Sequence, residues 1–201
     1  MENNMSSPAG MNAPEHDLII EYVTKAMGGE PRIDRYGDKN EELNVDILSC
    51  PDRPQADLTS YSTIGLSDHP MPWGEGEFPT RLELAGVCES GRDSFPNILA
   101  SAAFCIIRSG CVYHPGAVLP NYVRLVYPAT QLPHLYLTAP FYWEKDLHTL
   151  DCVTRKVSWL LAVPISESEY QYLREHGEKA FESLLETAQI DVTDLERSPT
   201  V

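Results

Sequence analysis

The run VSWLLAVPI at residues 157–165 constrains the fold more than any other stretch of this chain. It is too short to span a bilayer and too continuously apolar for a half-exposed strand. It therefore reads as a central strand buried on both faces, with Pro164 limiting ladder bonding near its end. The segment SFPNILASAAFCIIRSG, residues 94–110, makes a matching demand. Ile98, Leu99, Ala102, Phe104, Cys105, Ile106 and Ile107 cover nearly the whole circumference of a helix, and such a helix is buried. It should lie across a sheet with another layer over it. Ser94 is placed to cap it, Pro96 suits its first turn, and Arg108 before Gly110 suits its negative end.

Other stretches supply the rest of the sheet. In LNVDILSC, Leu43, Val45 and Ile47 alternate with Asn44 and Asp46, the signature of a half-buried strand. CPDRPQAD is turn chemistry, TSYSTIGLS the next strand, and MPWGEGEFP a long connection. TRLELAGV follows as a strand with Leu82 and Leu84 inward, then YVRLVY and HLYLT as short strands ended by proline. Helices are predicted from Pro14 to Gly28-Gly29, with Leu18, Tyr22, Val23 and Ala26 on one side, and after Ser166, where Glu169 completes a capping box. EKAFESLLETAQ adds a last amphipathic helix with Phe181, Leu184, Leu185 and Ala188 on its apolar face. Without a regular βαβ rhythm, the pattern predicts an α+β class: an α/β sandwich with a mixed central sheet flanked by helices.

The 201 residues suffice for one core without disulfides or metal. Residues 1–12, rich in Ser, Asn, Pro and Gly, are expected to form a disordered tail, and residues 13–201 a single domain. The tail has neither a basic n-region nor an apolar h-region, so it does not read as a signal peptide, and no segment is long and apolar enough for a membrane span. Cys50, Cys88, Cys105, Cys111 and Cys152 form no CxxC pair and mostly sit in apolar runs, which suits a reducing, cytoplasmic setting.

Charge narrows the functional classes. Thirty acidic residues against fifteen basic ones leave −15 and a pI near 4.7. That field repels nucleic acid and anionic lipid and attracts basic partners. TSYSTIGLSDHPMP, residues 59–72, poses the sharpest chemical question, because hydroxyls there stand beside the pair Asp68-His69. A hydrolase built on its Ser, Asp and His residues needs a base oriented by an acid, yet strand neighbours point to opposite faces and no GxSxG elbow occurs. The six histidines show no HxH or HExxH spacing, so no metal site is predicted. WGEGE lacks the phosphate-binding glycine patterns and carries two glutamates, so no nucleotide cofactor is predicted either. A recognition surface remains, with Asp52, Arg53, Tyr61, Asp68 and His69 as its candidate contacts, flanked by Asp57, Trp73, Glu75 and Glu77. The alternative for Ser60, Ser62 and Thr63 is that they only satisfy backbone at turns and sheet edges.

The segments DILSCPDRPQADLTSYSTIGLSDHPM, FPNILASAAFCII, YHPGAVLPN, PHLYLTAPFYWE and VSWLLAVPISESEYQYLREHGEKAFESLLE, with IDVTDLER after them, resemble the Suppressor of fused-like domain family, and its short bacterial members most of all. The likeness runs over roughly residues 15–198. It implies an α/β sandwich with no known catalytic role. Animal members grip a short peptide of a transcription factor, and bacterial members look like immunity proteins, or antitoxins, encoded beside secreted polymorphic toxins. The resemblance implies a protein-binding antitoxin that blocks its cognate toxin by contact. A nuclease toxin would be basic around its active site, which suits an acidic inhibitor. A peptide-binding module that sequesters a regulatory partner is the alternative, and a hydrolase the second alternative.

Overall fold

The computed structural model describes residues 13–40 and 42–201; the tail expected over residues 1–12 lies outside the described residues. In chain order the first elements are α1 (Ala13–Met27), β1 (Arg32–Gly37), β2 (Asn44–Pro51), β3 (Leu58–Ile64), β4 (Pro72–Trp73), β5 (Gly76–Glu77) and β6 (Thr80–Glu89). They are followed by α2 (Ser94–Ser109), β7 (Val118–Leu119), α3 (Tyr122–Val126), β8 (His134–Thr138), β9 (Leu150–Asp151), β10 (Lys156–Ile165), α4 (Glu167–His176) and α5 (Glu178–Thr187).

The apolar run forms β10, and its neighbours show why it had to be apolar. The main sheet runs β1-β2-β3-β6-β10-β8-β7, with β9 pairing β10 off that path. β10 is parallel to β6 and antiparallel to β8, so the sheet is mixed. Pro164 lies beyond the β6 ladder, which ends at Leu161; its carbonyl accepts from Arg197 on that vacated side, so its ring nitrogen also points away from β8 and no ladder bond is lost. Side chains alternate between two cores. Leu160 and Ala162 face Phe95, Ile98 and Leu99 of α2, whereas Trp159, Leu161 and Val163 face the layer that holds Ile19 and Val23 of α1, Leu173 of α4 and Phe181 of α5. Each such Leu contributes on the order of 1.5–3 kcal/mol by leaving water. The α+β sandwich is present.

Several local expectations need correction. YVRLVY is the helix α3, not a strand: Asn121 in the left-handed region turns the chain into it, and only Val123 is fully buried. In α1 the core stripe is Ile19, Val23 and Met27, with Tyr22 and Ala26 packed beside it; of the predicted face, Leu18 is the residue that turns outward. Asp93, not Ser94, stands at the N-cap of α2, and it makes no side-chain cap bond. β1 gave no sequence signal, because RIDRYG is an edge strand exposed along most of its length. By contrast the Ser166–Glu169 capping box is formed with both reciprocal bonds.

Gly86 marks a close approach of helix and sheet. A Cβ there would lie 2.5 Å from Cε1 of Phe95 and 3.3 Å from Cδ1 of Leu99. Gly86→Ala should therefore push α2 off the sheet and lower unfolding stability by roughly 1–3 kcal/mol in a denaturant melt. An unchanged midpoint would show that this contact has slack.

Candidate functional site

The candidate contact residues fall at two separated places. Asp52 and Arg53 are exposed in the β2–β3 hairpin loop, where Asp52 and Asp57 adopt positive φ. Asp68 and His69 lie past the other end of β3, a seven-residue strand that spans about 20 Å at its ordinary rise. Tyr61 sits between them and is only 6% exposed, packed on Phe95 with ring centroids 5.4 Å apart. The core has taken Tyr61, so its ring offers a partner almost no area in this conformation.

Asp68 is held by residues remote in sequence. His16 Nε2 lies 2.9 Å and 3.0 Å from its two oxygens, and Arg155 donates to Oδ1 at 2.6 Å. Arg155 also pairs with Glu15 at 2.8 Å, and Glu15 accepts from the Thr154 N–H and hydroxyl. This network ties the start of α1 to the loop after β3 and to the turn before β10. Under it lies Glu83, fully buried on β6, which accepts from the Thr63 hydroxyl and from the N–H groups of Gly65 and Ser67. Burial pushes its carboxyl up to about 6 against those bonds. Hydrogen bonding to Asp68 raises the His16 imidazole above its ordinary value, while burial lowers that of His69.

The hydroxyls of Ser60, Ser62 and Thr63 are structural. Ser60 donates to the Arg53 carbonyl; Ser62, fully buried, donates to the Thr63 carbonyl and accepts from Trp159 Nε1 at 3.1 Å. Among the described residues no hydroxyl is hydrogen-bonded to a histidine ring, and the acid next to His69 in sequence bonds His16 instead.

A cleft of about 490 Å³ opens elsewhere, between the end of β8 and α5. Tyr136 and Val163 form its floor. Phe141 and Tyr142, on the short 3-10 turn after β8, make one wall; Leu185, Ile190 and Val192 make the other. Gln189, in the left-handed region, ends the helical path after α5, and the Ile190 N–H returns to the Leu185 carbonyl. That return sets Leu185 and Ile190 on the same wall. Glu182 and Glu186 stand at the rim, and Glu182 Oε1 accepts from the Tyr136 phenol at 3.0 Å and the Thr138 hydroxyl at 2.8 Å. Burial and then Glu182 raise the Tyr136 phenol, and burial with nearby Asp191 raises that of Tyr142.

The segment beyond residue 190 is held first by the Thr193 carbonyl, which accepts from the Glu89 N–H, and farther on by Glu169. This carboxylate is fully buried, receives both terminal nitrogens of Arg197 at 2.7 Å and 3.0 Å, and accepts from the Thr200 N–H and hydroxyl. Burial opposes ionisation, yet Arg197 and the Ser166 N–H hold Glu169 below its ordinary value. Sequence reasoning missed this cleft as a site. Its one local signal was FYW, an aromatic triplet directly after Ala139-Pro140.

The family model of the Suppressor of fused protein (SUFU) matches residues 41–198. This chain belongs to the Suppressor of fused family. A relative from Bacillus subtilis (strain 168), named immunity protein YqcF, is 39% identical over 187 residues, covering 93% of this chain and 97% of the relative. The fold is shared with a Suppressor of fused homologue from Neisseria gonorrhoeae FA 1090, at TM-score 0.71 and 17% identity over 96% of this chain and 98% of that one. The Sufu-Fu complex structure matches at TM-score 0.64 and 14% identity, covering 92% of this chain and 91% of that one. No helix among the described residues of this Suppressor of fused member is long and apolar enough to cross a membrane.

The buried network sets a pH dependence whose sign is fixed. A histidine raised above its ordinary 6.5 contributes stability that is fully present below 6.5 and lost as pH rises through the folded value. Glu83, raised from 4.5 to about 6, costs stability that appears as pH rises across that interval. Relative to a His16→Gln/Glu83→Gln double variant, the wild-type chain should therefore gain stability as pH falls from the alkaline side to 4.5. Denaturant midpoints across that range check this, and a difference of opposite slope would contradict it.

Proposed function

We propose that this protein is an immunity protein that neutralises a cognate toxin, a basic nuclease, by occupying the toxin's surface in the cytoplasm. The observation that carries the reading is the 39% identity to a relative named an immunity protein, over 93% of this chain. Charge supports the nuclease part. A nuclease gathers cationic side chains around its phosphate site, and a protein of net charge −15 is steered toward it. Binding rather than hydrolysis is supported by the commitment of Ser62 to two hydrogen bonds inside the core. Asp52, Arg53, Asp68 and His69 stay in the proposal as two separate contact points at opposite ends of β3.

A second reading is favoured by one observation. The outer edge of β1 pairs with no described strand, and Ile33 on it is 44% exposed between charged neighbours. An extended peptide of a regulatory partner could add there as a further strand. The charges of Arg32, Asp34 and Arg35 also suit the opposite role, that of blocking unwanted strand pairing.

The test mixes the protein with a catalytically inactive form of the toxin domain encoded beside it. A stable complex should form below micromolar concentration, with an association rate above the neutral range of roughly 10⁵–10⁶ M⁻¹s⁻¹ that falls steeply as salt rises. Absence of a complex at micromolar concentration would contradict the proposal.

A further inference from the structure

We infer that the cleft between α5 and the Phe141–Trp143 turn is the docking site for an apolar side chain of the protein partner, flanked in that partner by Lys or Arg. The inference rests on the proposal that the molecule works by binding another protein, and it names where and by what chemistry. Four observations carry it.

The first is shape. A cavity of about 490 Å³ with Tyr136 and Val163 as its floor has room for one large apolar side chain and part of its neighbour. The second is the exposed ring of Phe141, 47% accessible at the mouth of the cleft. An aromatic residue already held on a short 3-10 turn loses little entropy when a partner covers it. The third is charge. Glu182 and Glu186 stand on the lining, Asp191 acts on Tyr142 beside it, and no lining residue is cationic.

The fourth is that the key carboxylate is already positioned. Tyr136 and Thr138 donate to Oε1 of Glu182, which fixes the group, while Oε2 accepts no hydrogen bond among the described residues. A partner's ammonium or guanidinium could therefore bind Oε2 without first ordering the acid. One wall sits on the turn after β8, and the other is held by the Ile190 N–H on the Leu185 carbonyl and by the Thr193 carbonyl on the Glu89 N–H. Charge disfavours the other occupants. Residues 1–12 contain no Lys or Arg, and a second copy of this chain brings another −15 to the same rim.

The experiment follows the methyl resonances of Leu185, Ile190 and Val192 while the full chain is titrated with short synthetic peptides. One set carries Leu or Phe flanked by Lys and Arg, and the other carries the same residue flanked by Glu. The basic set should shift these methyls saturably and the acidic set should not. Phe141→Ala and Glu182→Gln should each weaken the basic peptides about tenfold. Both keep the fold testable, since Phe141 is exposed and Gln retains an acceptor for Tyr136 and Thr138. Basic peptides that leave these methyls unmoved, or bind both variants as tightly as wild type, would overturn the inference. So would concentration-dependent shifts at these methyls without peptide, which would mean that a second copy fills the cleft. The inactive toxin domain in the same titration separates the two proposals. If it binds without moving the cleft methyls, the docking site is wrong and the immunity reading stands. If it fails to bind while basic peptides fill the cleft, the toxin reading fails and the docking site is supported.

Discussion

β10 is hydrogen-bonded along both edges and covered on both faces, and that single strand dictates where everything else can be. Two-sided burial requires a helical layer above and another below. α2 and α3 form one layer; α1, α4 and α5 form the other. Around β10 both faces are spent on packing, and the exposed part of the sheet is its β1 edge. Recognition must then use strand ends, edges or the seams between sheet and helices. The cleft beside α5 is such a seam.

Closing the sheet this way buries polar groups at its margins, and two glutamates resolve them. Glu83 takes up the donors of the turn after β3, and Glu169 takes up those of the helix start and the returning C-terminal segment. They differ in their partners. Glu169 has a guanidinium and stays ionised, whereas Glu83 is held only by neutral donors and its carboxyl rises. One joint is thus electrostatically closed, and the other remains sensitive to proton concentration. Neither lies at the mouth of the cleft, where the rim carboxylates are exposed and available to a cation.

The fold was legible wherever a segment's own pattern matched its burial. VSWLLAVPI, the all-round apolar α2 and the Ser166–Glu169 box each contain their explanation within a few residues. The pattern misled where tertiary contacts decided the outcome. YVRLVY has strand composition, yet a left-handed Asn121 and a single buried Val123 make it a helix. RIDRYG is too charged to signal a strand, because an edge strand buries little. The site was less legible still. Asp68 looks like the orienting acid of His69 until α1 supplies His16 from 52 positions away. The cleft joins residues from β8, β10, α5 and the segment beyond it, so no local motif could have announced it.

Occupation of the toxin's surface, with no substrate transformed, is the proposed mode of action. Its most direct test is the residual activity of the purified toxin domain, measured against increasing amounts of this protein at concentrations well above the dissociation constant. Occupation predicts a straight decline that reaches zero at equimolar protein and does not deepen with longer incubation. Progressive loss of activity at a small fraction of that amount would mean that each copy inactivates many toxin molecules, and the claim would be wrong.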